Sequence, residues 1–113
     1  MEAEVNGKVI QLSEAGWLEN LDEWSEELAV EIAKNEKIPE LTQEHWDIIN
    51  YLRDEYFNNG GNQPNERAIV RAMSKKWGRN VTSQETYQLF PHMPSKQGGK
   101  IAGLPETRRK GGY

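Results

Sequence analysis

The chain contains no cysteine among its 113 residues. This absence excludes disulfide bonds, thiolate metal ligands and cysteine nucleophiles. It also fits the cytoplasm, where reducing conditions keep disulfides rare. Residues 1–20 lack the basic and apolar segments of a signal peptide, and no apolar run approaches the roughly 18 residues that cross a membrane. We therefore expect a soluble, cytoplasmic protein that does not associate with membranes.

Motifs of the common catalytic and metal sites are also missing. The chain has no Gly-x-Ser-x-Gly, phosphate-binding loop or His-Glu-x-x-His motif. Its two histidines are too few for a transition-metal site without cysteine ligands. We interpret His45 as a structural contact near a helix start and His92 as an exposed residue. The sequence therefore predicts no metal and no cofactor.

Hydrophobic residues are scarce, at 35% of the chain. A chain of this length forms one domain with a modest core. Four Trp, four Tyr and two Phe compensate in part, because each aromatic side chain buries a large area. We expect a monomer with an aromatic core, for which the predicted residues are Trp24, Trp46, Tyr51, Ile69, Trp77 and Phe90.

Charge is divided unevenly along the chain. Residues 1–62 hold 15 acidic and 4 basic residues, whereas residues 63–113 hold 3 acidic and 10 basic ones. One explanation is a single body whose charged faces are solvated. The other is that the asymmetry marks a surface for a partner.

The pattern of apolar and turn residues predicts a mainly α fold of the α+β class. Asn6-Gly7 between two short strands is a strong signal for a tight β-hairpin. Four or five short helices follow. The first is predicted to start at Asn20 and to continue through Trp24, because apolar residues recur with helical spacing up to Ile32.

The later helices have clearer ends. Thr42 is the predicted N-cap of the second, although His45 at the third position leaves the capping box incomplete. Helices over residues 65–77 and 83–90 are joined by a short Gly-containing turn and resemble a helix-turn-helix. We divide the chain into a helical body, 1–90, and a C-terminal arm, 91–113. The arm is rich in glycine and proline, and we expect it to be partly ordered near Ile101–Leu104 and mobile beyond Pro105.

The arm carries a resemblance to a known family. Leu89-Phe90-Pro91, Pro94, Lys96-Gln97 and above all Lys100-Ile101-Ala102-Gly103-Leu104-Pro105 resemble the DsrC/TusE family of sulfur-relay proteins. That family includes the gamma subunit of dissimilatory sulfite reductase and a carrier in the relay that thiolates tRNA. The Asn6-Gly7 hairpin, Thr42-x-x-His45-Trp46 and Pro64 extend the resemblance over essentially the whole chain.

The resemblance also implies a loss. Family members carry a penultimate cysteine at the C-terminus, which can hold a persulfide, and redox-active members carry a second one just before the Lys/Arg-Ile-Ala-Gly-Leu-Pro motif. Gly112 and Gly99 occupy these two places. Because glycine cannot carry sulfur, persulfide transfer by the family route is blocked. We therefore expect that the chain is not an enzyme.

Three functions remain open at this point. The first is a non-catalytic binding or regulatory protein that docks its arm onto a protein partner of sulfur metabolism or its regulation, with charge attraction from the basic end of the arm. The predicted partner-binding residues are Lys96, Gln97, Lys100, Ile101, Gly103, Leu104, Pro105, Arg108, Arg109 and Lys110.

The second function is nucleic-acid binding through the helix-turn-helix-like pair, with basic side chains on the phosphates. The predicted contacts are Arg67, Arg71, Lys75, Lys76 and Arg79. The net charge of −4 argues against this function. The third is a place in the tRNA 2-thiolation or sulfite-reductase sulfur relay, as the resemblance implies.

Overall fold

The computed structural model describes residues 1–106. Within them a two-stranded antiparallel sheet precedes five α-helices, which confirms the predicted fold class. The elements are β1 (Glu2–Val5), β2 (Lys8–Gln11), a 3₁₀ turn (Leu21–Glu23), α1 (Glu26–Asn35), α2 (Gln43–Asn58), α3 (Glu66–Trp77), α4 (Ser83–Leu89) and α5 (Pro94–Ile101).

The hairpin forms at the predicted Asn-Gly turn. Asn6 and Gly7 both have positive φ, 51° and 82°, as the tight turns that match strand twist require. The register pairs Ala3 with Ile10, and both of these side chains are buried in the core. The sheet is thus anchored by one apolar pair on its inner face.

The predicted start of the first helix, at Asn20, is wrong. Asn20 does cap a turn, since its side chain accepts a hydrogen bond from the Asp22 amide, but this turn ends before Trp24. Trp24 is extended, and α1 starts afresh after Ser25, whose hydroxyl accepts from the Leu28 amide. The break occurs because the Trp24 indole is engaged elsewhere, by the Ile101 carbonyl at 2.9 Å.

The capping box of α2 is complete, contrary to the prediction. The Thr42 hydroxyl faces the His45 amide, and the His45 ring nitrogen Nδ1 accepts from the Thr42 amide at 2.9 Å. Imidazole therefore takes the place that a Glu or Gln side chain fills in the usual motif. Helix α4 shows that usual form, with Thr82 and Glu85.

The stretch after Pro91 is not the irregular arm that was predicted. It folds into α5, in which Gly98 and Gly99 are both buried. Glycine disfavours helices, so tertiary contacts must supply the stability. A Cβ on Gly98 would lie 3.0 Å from Leu52, which shows how closely α5 approaches α2. The boundary at residue 91 therefore does not separate the core from an arm.

The core is more aliphatic than predicted. Ile69 and Phe90 are fully buried, but Trp24, Trp46, Tyr51 and Trp77 only pack against the edge of the core. Tryptophan N–H groups need acceptors, and Trp77 donates to Asp47 at 2.8 Å near the surface. The largest fully buried aliphatic side chains are Leu28, Ile32, Ile48, Ile49, Leu52, Ile69, Met73, Ile101 and Leu104.

No helix among residues 1–106 has both the length and the apolar character needed to cross a membrane.

Candidate functional site

Three side chains bond to backbone carbonyls at the end of α5 and in the segment that follows it. The Trp24 indole donates to the Ile101 oxygen at 2.9 Å, and the side-chain amide of Gln63 donates to the Pro105 oxygen at 2.9 Å. Arg53 donates to the Ala102 oxygen at 2.7 Å. We call Trp24, Arg53 and Gln63 the carbonyl clamp. Because helix ends leave carbonyls without internal partners, such donors stabilise this terminus.

Arg53 is itself fixed by aromatic rings. Its guanidinium carbon lies 3.7 Å from the centroid of the Trp24 ring and 4.8 Å from that of Phe57. Burial lowers the pKa of Arg53 from its usual value, yet the group stays charged at any ordinary pH. The stacked cation therefore offers a rigid donor to the Ala102 carbonyl.

Gly103 lies against the clamp. Its φ is +74°, and a Cβ at this position would overlap the Trp24 ring. Only glycine lets the backbone both turn here and approach the indole this closely. The Leu104 amide then donates back to the Gly99 carbonyl at 3.0 Å, so the chain leaves α5 through a fixed turn.

A second cluster holds the opposite side of α5 to α1. The Glu36 carboxylate accepts hydrogen bonds from Lys100 at 3.1 Å and from the side-chain amide of Gln97 at 3.2 Å. Lys100 also lies 5.6 Å from the centroid of the Trp17 ring. These side chains border a small cleft of about 200 Å³. This ion pair is largely shielded from solvent, so the attraction between its charges is weakly screened but is opposed by the desolvation of both groups.

The Gly99 backbone would accept a side chain. A Cβ there would meet only Trp17, at 3.9 Å, and its φ lies outside the positive range. The fold therefore does not require glycine at this position. The second predicted sulfur position, Gly112, lies outside the described residues.

His45 lies at the base of α2 and has the structural role that its position predicted. Its Nδ1 accepts from the Thr42 amide, so the proton is on Nε2, which donates to the Leu89 carbonyl at 2.9 Å. The ring also meets Phe90 edge to face at 5.1 Å. Burial lowers the pKa of His45, against smaller opposing effects of the Leu89 carbonyl and of Glu44.

The predicted partner-binding residues are distributed between interior and surface. The buried ones are Gln97, Ile101, Gly103 and Leu104, and the half-buried ones are Lys96, Lys100 and Pro105. Arg108, Arg109 and Lys110 lie outside the described residues. The motif that resembles the family is thus largely core, and its role in contacting a partner stays a prediction.

The predicted nucleic-acid contacts are not equivalent. Arg79 is engaged by Glu85 at 2.6 Å and by Glu44 at 3.5 Å. Arg67, Arg71, Lys75 and Lys76 are exposed on α3. The structure therefore does not bring all five together as free cations.

The role of the clamp residues at the end of α5 was not predicted from the sequence, nor was the role of Glu66. The Glu66 carboxylate, which is buried, accepts from the Ser95 amide at 2.5 Å and from the Ser95 hydroxyl at 2.7 Å. It caps α5, whose own N-cap residue, Met93, makes no side-chain cap bond. A single residue whose partner is tens of positions away gives no local sequence signal of such a contact.

Comparison with known proteins gives a consistent result. Residues 4–109 match the model of the family described as DsrC like protein. Sulfurtransferase TusE of Shigella dysenteriae serotype 1 and that of Escherichia coli (strain K12) are each 45% identical over 103 residues, which cover 88% of this chain and 91% of the relative.

Solved structures agree with these relatives. The crystal structure of the oxidized gamma-subunit of the dissimilatory sulfite reductase (DsrC) from Archaeoglobus fulgidus superposes with a TM-score of 0.86 at 40% identity, covering 96% of this chain and 98% of that one. The NMR structure of Allochromatium vinosum DsrC gives 0.84 at 40% identity, with the same coverage.

The expectation that the chain is not an enzyme is contradicted by these comparisons. The relatives that are 45% identical over most of both chains bear the name sulfurtransferase. The prediction took the lack of a thiol in one chain as the lack of an activity, although sulfur transfer needs a thiol somewhere in the reacting assembly rather than in every chain.

Proposed function

The chain belongs to the DsrC-like protein family, and from that premise we propose that it acts in sulfur transfer by docking its C-terminal segment onto a protein partner. The names of its relatives support this proposal. Two are called sulfurtransferases, and a solved one is called the gamma-subunit of a sulfite reductase, which is a part of a larger assembly. We propose further that the chain is a monomer and that it meets this partner in the cytoplasm.

The carbonyl clamp is the observation that carries the docking mechanism. Trp24 and Arg53 bond to backbone oxygens at the end of α5, and Gln63 bonds to the Pro105 oxygen just beyond it. They fix the described backbone as far as Pro105, next to the segment for which docking is proposed. A segment that starts from a fixed point loses less freedom on binding than one attached to a loose tether, so docking costs less free energy.

The chemistry assigns the sulfur to the partner. This chain has no thiol, so a persulfide in the assembly must sit on a cysteine of the partner. The chain then supplies binding and orientation, which hold that persulfide against its acceptor. The sulfur moves between thiols of other subunits, and this chain forms no bond to it.

A reconstituted relay tests the proposal. The tagged full-length chain is used to isolate its partner from the native host, and the purified partner is loaded with radiolabelled persulfide sulfur. We expect sulfur to pass to the next acceptor faster in the presence of the chain, while the intact mass of the chain gains no sulfur atom. A variant that ends at Glu106 should neither retain the partner nor accelerate transfer. Equal retention by that variant would show that the docking mechanism is wrong.

Nucleic-acid binding stays an alternative prediction with less support. One of its five predicted contacts, Arg79, is already paired with Glu44 and Glu85. A regulatory role also stays a prediction, because it depends on the identity of the partner.

A further inference from the structure

A groove of about 700 Å³ separates α3 from the start of α4. Val70 and Tyr87, both half-buried, are its apolar lining. Arg67 and Arg71 stand on the α3 side, four residues apart and therefore on one face of the helix. Ser83 and Gln84 provide hydrogen-bonding groups on the α4 side. The groove shares no residue with the carbonyl clamp.

Neither arginine of this groove has an acidic partner among the described residues, a property they share with Lys75 and Lys76 of the same helix. Among residues 1–106, ion pairs occupy Lys8, Lys34, Arg79 and Lys100, but neither Arg67 nor Arg71. Glu66, the one acidic residue of the lining, directs its carboxylate to Ser95 at the start of α5. Within the described part of the chain, the groove thus combines an apolar lining with two cations that can bind an anion.

From this combination we infer that the groove between α3 and α4 binds an acidic segment of a partner protein, with an apolar side chain of that segment on Val70 and Tyr87. Arg67 and Arg71 bind its carboxylates, for which the planar guanidinium fork is well shaped. The inference goes beyond the docking of the C-terminal segment, because it assigns a second surface and the chemistry of its ligand.

A nucleic acid fits the groove less well than an acidic peptide. Duplex binding depends on phosphate contacts and gains little from an apolar lining. The net charge of the chain is −4, which repels a polyanion at long range but a short acidic segment less. A second copy of the chain would meet the basic groove with an acidic face in a head-to-tail contact, which builds a ring or a filament and disagrees with the monomer proposed above.

Peptide selection tests the inference whatever the identity of the partner. A random-peptide phage library is panned on the full chain, and the enriched peptides are measured against two variants of equal net charge. Arg67→Glu with Arg71→Glu changes the groove, whereas Lys75→Glu with Lys76→Glu changes two exposed cations of the same helix that lie outside its lining. Circular dichroism confirms that both variants are folded.

We expect enriched peptides that contain acidic residues around one large apolar residue. Their affinity should fall at least about tenfold in the double arginine variant and less than about threefold in the double lysine variant. Val70→Thr keeps the shape of the side chain but adds a hydroxyl, and it should also lower the affinity of these peptides.

Several outcomes would overturn the inference. One is that no peptide is enriched, or that the enriched ones lack acidic residues. Another is an equal loss in both charge variants, which indicates unspecific attraction. A third is that mixed-sequence duplex DNA binds through Arg67 and Arg71 while acidic peptides do not, which assigns the groove to nucleic acid. Concentration-dependent self-association abolished by the arginine variant would assign it to a second copy.

Discussion

The Arg53 guanidinium stacks 3.7 Å from the centroid of the Trp24 ring while it donates a hydrogen bond to the Ala102 carbonyl. Trp24 precedes α1, Arg53 lies within α2, and Ala102 follows α5. One cation–aromatic pair therefore joins three helical segments that are far apart in the sequence. The pair is also next to the point where the chain leaves the described body.

Replacing Arg53 by lysine should loosen this junction. A lysine keeps the charge but loses the planar stacking and the fixed donor geometry, so we expect a loss of roughly 1–2 kcal/mol in the free energy of unfolding. The amides of Gly103 and Leu104 should exchange faster by NMR, since they depend on the fixed turn. Arg79→Lys is the matched control, because Arg79 also lies over a tryptophan, Trp77 at 5.4 Å, but is exposed. Equal effects of the two changes would contradict the role given to Arg53.

Two glycines of the same segment should respond oppositely to alanine. Gly103→Ala forces a left-handed conformation on alanine and drives its Cβ into Trp24, so we expect a loss of roughly 2–4 kcal/mol. Gly99→Ala lies in a helix with room for a Cβ and should stabilise by about 0.5–1 kcal/mol. Urea unfolding measures both. If Gly103→Ala were more stable than the parent protein, the Gly103 backbone could not lie as close to the Trp24 ring as described.

The stability of the protein should depend on pH through His45. Burial lowers its pKa in the folded state below the usual value of 6.5, so the folded state favours the neutral ring. This stabilising contribution is complete above about pH 6.5 and is lost as the pH falls from there through the folded-state pKa. Protonation would also place a second donor opposite the Thr42 amide.

His45→Gln is the control for this pH dependence, because glutamine retains an acceptor for the capping box without titrating. Urea unfolding of both proteins is followed between about pH 7.5 and about pH 5, and the carboxylates common to both cancel in the difference. We expect the parent protein to lose more stability on acidification than the variant. Parallel curves would mean that His45 does not titrate differently in the two states.

The buried Glu66 should be essential for α5. Glu66→Ala leaves the Ser95 amide and hydroxyl without their partner, so we expect a loss of roughly 2–3 kcal/mol. Glu66→Gln keeps one acceptor oxygen and should lose about half as much. Exposed Glu40, replaced by alanine, should change stability by less than about 0.5 kcal/mol. If Glu66→Ala matches the Glu40 control, the cap contributes nothing.

Local signals in the sequence were sufficient for much of the fold. Asn6-Gly7 dictated the hairpin because few other residue pairs tolerate two positive φ angles. The helices predicted over residues 65–77 and 83–90 form behind the caps Asn65 and Thr82, whose side chains each accept from a backbone amide three residues further on. Gly78 ended α3 in the left-handed conformation. Each signal operates within a few residues and can therefore be recognised from its neighbours alone.

The tertiary structure alone decided α5 and the site built around it. Gly98 and Gly99 argue against a helix, but Glu66 caps its start from α3, and the close contact of Gly98 with Leu52 buries its middle. Similarly, Trp24 has helical spacing from Leu28 but leaves the helix, because its indole bonds to the Ile101 carbonyl. These contacts join residues that are tens of positions apart, and no pattern over a few neighbouring residues encodes them. The sequence by itself determined the family and the absence of a thiol, whereas packing determined that the family motif is a buried helix end held by Trp24, Arg53 and Gln63.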